Sequence, residues 1–479
     1  MTRKKLDPVE LSLKDKLMAA DHEKLADILV SLYNENNSFQ KQLAIVFAGL
    51  DEDPKKITSL IRKEIASLKK STKFVDYYET DSLTDRLDNL RLRIINELNI
   101  KSSRIAFEVM LEFLDLHEKT LNRVDDSNGT VSGVFSAACE DLGKILQTAN
   151  HLSVTEIADR VFTLFMNNSY GIYDDIIHNL KISLDNEGLD LLQEKMQLAA
   201  NTNNLYKVKL ALKDIADCKN NVDAFIGACA FVEKPTAHDH LDIAKRLLTH
   251  WRAKEALEWL ARMEIPSQHP WQQDKKKLKI QALELDGEYE LAQRERLTWF
   301  EEILSPKIYG EIINASKPDF KEEFKLRSIN KAFQFPEPHT ALYFLTQIQE
   351  FEEAAKIVRL RFDELSGKQY STLRPAADLL VSIDPLAASL LYRKMIQPIL
   401  EETKTKYYSY AARDLMTCIA LNSKIRDWDG LQDHDQYFKE IEDKHKRKIR
   451  FWDEYKSAIQ KQVTKEAKLA KNTNHNLIL

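Results

Sequence analysis

The sequence predicts an all-α fold, an α-solenoid of helical hairpins that is tetratricopeptide-like in its C-terminal half. Three observations carry this. The 479 residues include only 11 Gly and 12 Pro, where average usage would give about 34 and 24. Such a chain has few tight turns and few positive-φ positions, which disfavours Rossmann, P-loop, hairpin-rich and barrel folds. No proline occurs between Pro54 and Pro235, as long helices require. Apolar residues also recur at three- and four-residue steps along most of the chain, the period of a helix with one apolar face.

The first stripes are Leu11, Leu13 and Leu17, then Leu25, Ile28, Leu29 and Leu32. Leu43, Val46, Phe47 and Leu50 follow, then Ile57, Leu60, Ile61, Ile65 and Leu68. Asp53-Pro54 reads as an N-cap with proline at the first helical position. Leu83 to Leu98 and Ile105 to Leu116 continue the series. Val124-Asp-Asp-Ser-Asn-Gly129 is a loop, and Gly129, Gly133 and Gly143 cluster in a region of broken pattern. Helices are expected over 134–146, 157–165, 176–182 and 189–198, with a break at Asn167–Gly171. About ten helices are expected before residue 235.

After Pro235 a repeat is legible. Thr236, with Asp239 three residues on, forms a capping-box variant. Second helices of hairpins are expected to open at Ala253-x-x-Ala256, at Tyr289-x-x-Ala292 after Gly287, at Phe351-x-x-Ala354, and at Pro385-x-x-Ala388 after the Asp384 cap. The openings step by about 34 residues, the tetratricopeptide period, with one interval near twice that length. A degenerate copy fits the gap around Pro318 to Phe335. Small residues allow paired helices to approach, and a hairpin that cannot bury its apolar face alone stacks on its neighbours. An aromatic-rich helix then carries Tyr407, Tyr408, Tyr410, Leu415 and Ile419, and Asp427–Gly430 is a turn. One long helix is expected over Asp435–Lys471, with Asn472–Asn476 frayed. The expected domains are thus 1–235, 236–433 and 434–479.

Several of these segments resemble a bacterial family of helical proteins classed as a domain of unknown function. The C-terminal half also resembles a segment found in SWIM zinc-finger proteins. The matching features include Phe74-Val-Asp-Tyr-Tyr78, Asp159-Arg-Val-Phe162, Tyr170-Gly-Ile-Tyr-Asp174, Leu391-Tyr-Arg393, Tyr410-Ala-Ala-Arg413, Tyr437 and His445-Lys-Arg-Lys448. The resemblance implies an all-helical bacterial protein and supplies no catalytic residue. The SWIM zinc motif, C-x-C with Cys-x-His, is missing, so its zinc role does not carry over.

Charge and cysteine usage bound the function. The net charge is −5, which demands neither a nucleic-acid nor a membrane partner. The cysteines Cys139, Cys218, Cys229 and Cys418 show no C-x-x-C spacing, so no zinc or disulfide framework is expected. No cofactor motif stands out. The basic N-terminus lacks an apolar signal-peptide core, and no apolar run approaches the ~20 residues of a membrane span. A cytoplasmic location is expected.

The candidate partner or anion contact is His445, Lys446, Arg447, Lys448 and Arg450. On a continuous helix, Lys446, Arg447 and Arg450 would share one side. Tyr437, Ile441, Trp452, Tyr455 and Ile459 would form an apolar arc, with His445 and Lys448 within or beside it. A cation in an apolar arc needs a partner or must snorkel to water. Asp125–Gly129 fails as an EF-hand, because the first and twelfth loop positions would be Val124 and Phe135. His238 and His240 lie two residues apart and point to different faces of a helix. The aromatic set Trp251, Trp259, Trp271, Tyr289, Trp299 and Phe300 reads as inter-repeat core before it reads as a binding groove. The expected function is therefore a non-catalytic scaffold for a protein partner. Nucleic-acid binding through the basic terminal helix, or an enzyme with an unrecognised site, are the alternatives.

Overall fold

A computed structural model describes residues 17–18, 21–50, 53–148 and 152–461. Leu11, Leu13 and the Asn472–Asn476 run lie outside the described residues. The chain divides into two compact units, Met1–His250 and Trp251–Leu479. Both are built of α-helices, and the only β feature among the described residues is an isolated parallel bridge between Val75 and Val124.

The first unit comprises α1 (His22–Glu35), α2 (Asn37–Leu50), α3 (Pro54–Lys70) and α4 (Thr80–Arg93), the last prolonged by a π-helical turn at Ile94–Leu98. It continues with α5 (Ser103–Leu114), α6 (His117–Leu121), α7 (Thr130–Thr148), α8 (Val154–Met166) and α9 (Ile176–Leu198). It ends with α10 (Leu205–Cys218), α11 (Val222–Cys229) and α12 (Ala237–Thr249). The expected caps form. Asp53 accepts from the Lys55 amide with Pro54 as first helical residue. Thr236 and Asp239 make a reciprocal capping box. In the Val124–Gly129 loop the Asp126 carboxylate accepts from the amides of Val131 (2.8 Å) and Ser132 (2.9 Å) at the start of α7. The stretch 176–198 is two helical pieces meeting at Asp185, whose φ of 50° is non-helical.

Two expectations change. Gly133 and Gly143 sit inside α7 rather than in a break. A Cβ on Gly143 would lie 2.4 Å from the Asn179 carbonyl oxygen of α9, so glycine here permits close helix approach. The stripe on α1 is not covered among the described residues: Ile28, Leu29 and Leu32 remain exposed.

Ion pairs tie α12 to α10 and hence to the first unit. Lys209 and Lys213 of α10 both reach Asp239, at 2.8 and 3.1 Å. Arg246 holds Asp217 through Nε at 2.6 Å.

The second unit is an array of helical hairpins: α13 (Ala253–Ala261), α14 (Gln272–Leu285), α15 (Tyr289–Ile303), α16 (Pro306–Ala315), α17 (Pro318–Gln334) and α18 (Pro338–Gln347). It continues through α19 (Phe351–Leu360), α20 (Tyr370–Leu380), α21 (Pro385–Glu401), α22 (Tyr408–Asn422) and α23 (His434–His445). A final helix, α24, occupies 449–461. The helices α13, α15, α19 and α21 begin at the Ala253, Tyr289, Phe351 and Pro385 positions read from the repeat, and α17 fills the degenerate copy from Pro318. Ala253, Ala256, Ala292, Ala354 and Ala388 are all buried, as close pairing requires. Gly287, at φ 82°, makes the turn between α14 and α15.

The single helix expected over Asp435–Lys471 is corrected by a break. Helix α23 ends at His445, the chain turns at 446–448, and α24 starts at 449. The turn lets Phe451 pack on Tyr408, with ring centroids 5.9 Å apart, and Trp452 pack on Phe438 at 6.0 Å. Tertiary packing outweighs helix propensity here, and neither Gly nor Pro marks the break in the sequence.

Candidate functional site

The basic segment lies where α21, the turn after it, α22 and the α23–α24 junction meet. Thr403 adopts φ 54° in that turn, and its hydroxyl accepts a hydrogen bond of 2.7 Å from Lys448 Nζ. The partner of Lys448 is thus a hydroxyl rather than a carboxylate. His445 is half-buried, and its carbonyl oxygen accepts from Trp452 Nε1 at 3.0 Å. Burial pushes the His445 pKa down, the charge of Lys448 adds to this, and Glu401 opposes it. The imidazole is therefore neutral at pH 7.

Lys446, Arg447 and Arg450 are exposed. They make no ion pair with the described residues, whereas Lys444 is paired with Glu440. Together with Thr403, Thr405 and Lys448 they line an open groove of about 710 Å³. Ile449 stands among these cations at 72% exposure. The division read from the sequence holds in part. Tyr437, Ile441 and Phe451 are buried, Trp452 and Tyr455 are half-buried, and Ile459 is exposed.

On the other side of the turn after α21 lies a hollow of about 480 Å³ lined by Tyr370, Arg374, Ile399, Lys404, Tyr407 and Tyr410. Arg374 is committed to Asp414 through two hydrogen bonds of 2.5 and 2.6 Å. The Tyr370 hydroxyl is buried with no hydrogen-bond partner. The sequence signalled Tyr407 and Tyr410 as an aromatic helix. Tyr370 and Arg374 come from α20 and only the fold brings them alongside.

The tryptophan set does not form one surface. Phe300 is buried against Phe324 and Phe344, with centroids at 5.2 and 5.5 Å, and Trp299 packs beside that core. Trp251 and Tyr289 are exposed. The Tyr170–Asp175 stretch is a packed turn in which the Asn168 amide donates to Asp174 at 2.6 Å. Among the described residues no group of three His, Cys, Asp or Glu is placed to hold a metal ion. No helix there is long and apolar enough to cross a membrane. The four cysteines are unpaired. Burial pushes the thiols of Cys139, Cys229 and Cys418 up to about 12 and that of Cys218 up to about 11, far from the range of a reactive thiolate.

The succession of helical hairpins, with a basic groove beside an aromatic hollow, defines a helical-repeat protein. The chain belongs to a family of unknown function, DUF6880, whose model matches residues 11–207 and 198–454. No curated protein matches the sequence. A solved structure described as a circular tandem repeat protein with novel repeat topology and enhanced subunit contact surfaces is similar at 12% identity. That match covers 93% of this chain and 99% of that one, with a TM-score of 0.22.

Proposed function

We propose that the protein is a non-catalytic bacterial cytoplasmic scaffold. Its second unit binds an acidic protein segment that also carries a bulky apolar side chain. The observation behind this is the pairing of two features across one turn. Lys446, Arg447 and Arg450 present charge that no described carboxylate neutralises, and the hollow lined by Tyr407 and Tyr410 is largely apolar. Exposed cations attract an acidic chain and set its orientation, while an aromatic-lined hollow supplies the desolvated anchor that dominates affinity. Helical-repeat proteins use extended surfaces in this way, and the analogy of fold supports the reading.

The test is fluorescence anisotropy of the full chain at low salt with three probes: a Glu-rich peptide containing Phe, the same peptide with Ala for Phe, and a single-stranded oligonucleotide. The Phe-containing peptide is expected to bind tightest and the Ala version about tenfold more weakly, as one buried side chain implies. Binding of the oligonucleotide without binding of either peptide would overturn the proposal in favour of nucleic acid.

A further inference from the structure

The least compensated charge in the second unit is Arg393, in the middle of α21. Only 5% of the residue is exposed. A buried guanidinium requires a counter-charge or a full set of acceptors. Arg393 has one oxygen acceptor, the Gln432 carbonyl, to which its Nη1 donates at 2.7 Å; the Cys418 thiol is a further, uncharged hydrogen-bond partner. The rings of Trp428 and Tyr437 pack over it, with centroids 4.3 and 4.5 Å from Cζ. Its Nε and Nη2 atoms are buried and have no partner. These two N–H groups form the edge of the guanidinium that takes an anion in bidentate fashion.

The surroundings supply no anion. Asp433 spends Oδ1 on capping α23, through the Gln436 amide at 2.8 Å, and forms no ion pair with Arg393. Asp414 is held by Arg374. Burial raises the Cys418 thiol to about 12 and holds the Tyr437 phenol well above its ordinary value, so both stay neutral. The other unpartnered buried atoms of this region are Ser389 Oγ, one turn before Arg393 on α21, with Tyr437 Oη and His434 Nδ1 on α23. The hydroxyls can donate, and a neutral imidazole can donate from Nδ1 in one tautomer. Three residues thus offer unused donors beside the two unused N–H groups of one uncompensated cation, a set that suits an anion.

We propose that the Nε/Nη2 edge of Arg393, with the Ser389 and Tyr437 hydroxyls, binds a buried monovalent anion of halide size. One monovalent anion balances the single guanidinium charge. Because Tyr437 and His434 belong to α23, the bound anion fastens that helix to α21 and so seats the basic turn at its far end. The anion site stands whether or not that turn binds a peptide.

The test is thermal unfolding of the full chain in sodium chloride against sodium gluconate at equal ionic strength. A ligand that binds only the folded state raises the melting temperature with its concentration. Chloride is expected to give a saturable rise of about 3 °C. Arg393→Met should remove the chloride dependence, and Tyr437→Phe should move its midpoint to higher chloride. A bromide-soaked crystal should show anomalous density at the Nε/Nη2 edge, which keeps the proposal testable should Arg393→Met fail to fold. Equal melting in chloride and gluconate, the same chloride dependence in Arg393→Met, or only water at that edge would overturn it.

Discussion

The two units treat buried charge differently. In the first, the two most deeply buried carboxylates among the described residues each sit between cations. Asp141 is held by Arg91 and Lys144, and Asp239 by Lys209 and Lys213. Burial opposes the charge on Asp239, but hydrogen bonds from Lys209, Thr236 and Lys213 outweigh it and hold its pKa below the usual range. In the second unit Asp414 is likewise satisfied by Arg374, yet Arg393 is buried without a carboxylate and Lys446, Arg447 and Arg450 are exposed without one. Satisfied buried ions join helices; unsatisfied ones retain capacity for something else. This contrast is why both proposed binding sites lie in the second unit.

The largest expected effect falls in the first unit. Asp239→Ala leaves two cations facing each other at the α10–α12 contact and deletes a capping box. Breaking a buried pair of this kind costs about 3–5 kcal/mol, read as a lowered urea midpoint. A loss below about 1 kcal/mol would show that the pair does not join α10 to α12. Arg393→Met makes the opposite case. In gluconate, replacing an uncompensated buried charge by an apolar side chain should be neutral or stabilising, by up to about 4 kcal/mol. Marked destabilisation in gluconate would mean that Arg393 is already satisfied.

Asp214 sharpens the comparison within the first unit. Burial, then Asp217 and Asp175, push its pKa from 3.8 up to about 7, with Lys213 opposing. The folded state therefore holds a proton that the unfolded chain has released. Its contribution is favourable at low pH and is lost as pH rises from 3.8 through 7. Asp214→Asn should raise the melting temperature by about 2–4 °C at pH 8, with the gain shrinking toward pH 4. A gain independent of pH would contradict the assignment.

Much of the fold was legible in the sequence because helix starts depend on local chemistry. The alanine three residues into each opening, with the Asp384 cap and Pro385, placed α13, α15, α19 and α21, and the doubled repeat interval placed α17. The α23–α24 break was not legible, since it arises from the docking of Phe451 and Trp452 and leaves no Gly or Pro signature. Gly143 misled for a related reason: close approach to Asn179 and a chain break call for the same residue. In the candidate surface, the basic run and Tyr407/Tyr410 could be read directly. Tyr370, from α20, and the Arg393 environment could not, because they depend on residues far apart in the chain. Arg393 and Tyr437 did stand among the residues carrying the family resemblance, but sequence alone offered no reason to join them.

The most direct test of the basic turn as a binding surface is peptide affinity after neutralising the exposed cations. Lys446→Gln, Arg447→Gln and Arg450→Gln together break no ion pair among the described residues, so stability should change by less than about 0.5 kcal/mol. Anisotropy with the Phe-containing acidic peptide at low salt should then show at least about tenfold weaker binding than the unaltered chain. Equal affinity in the two proteins would contradict the assignment of the basic turn as the binding surface.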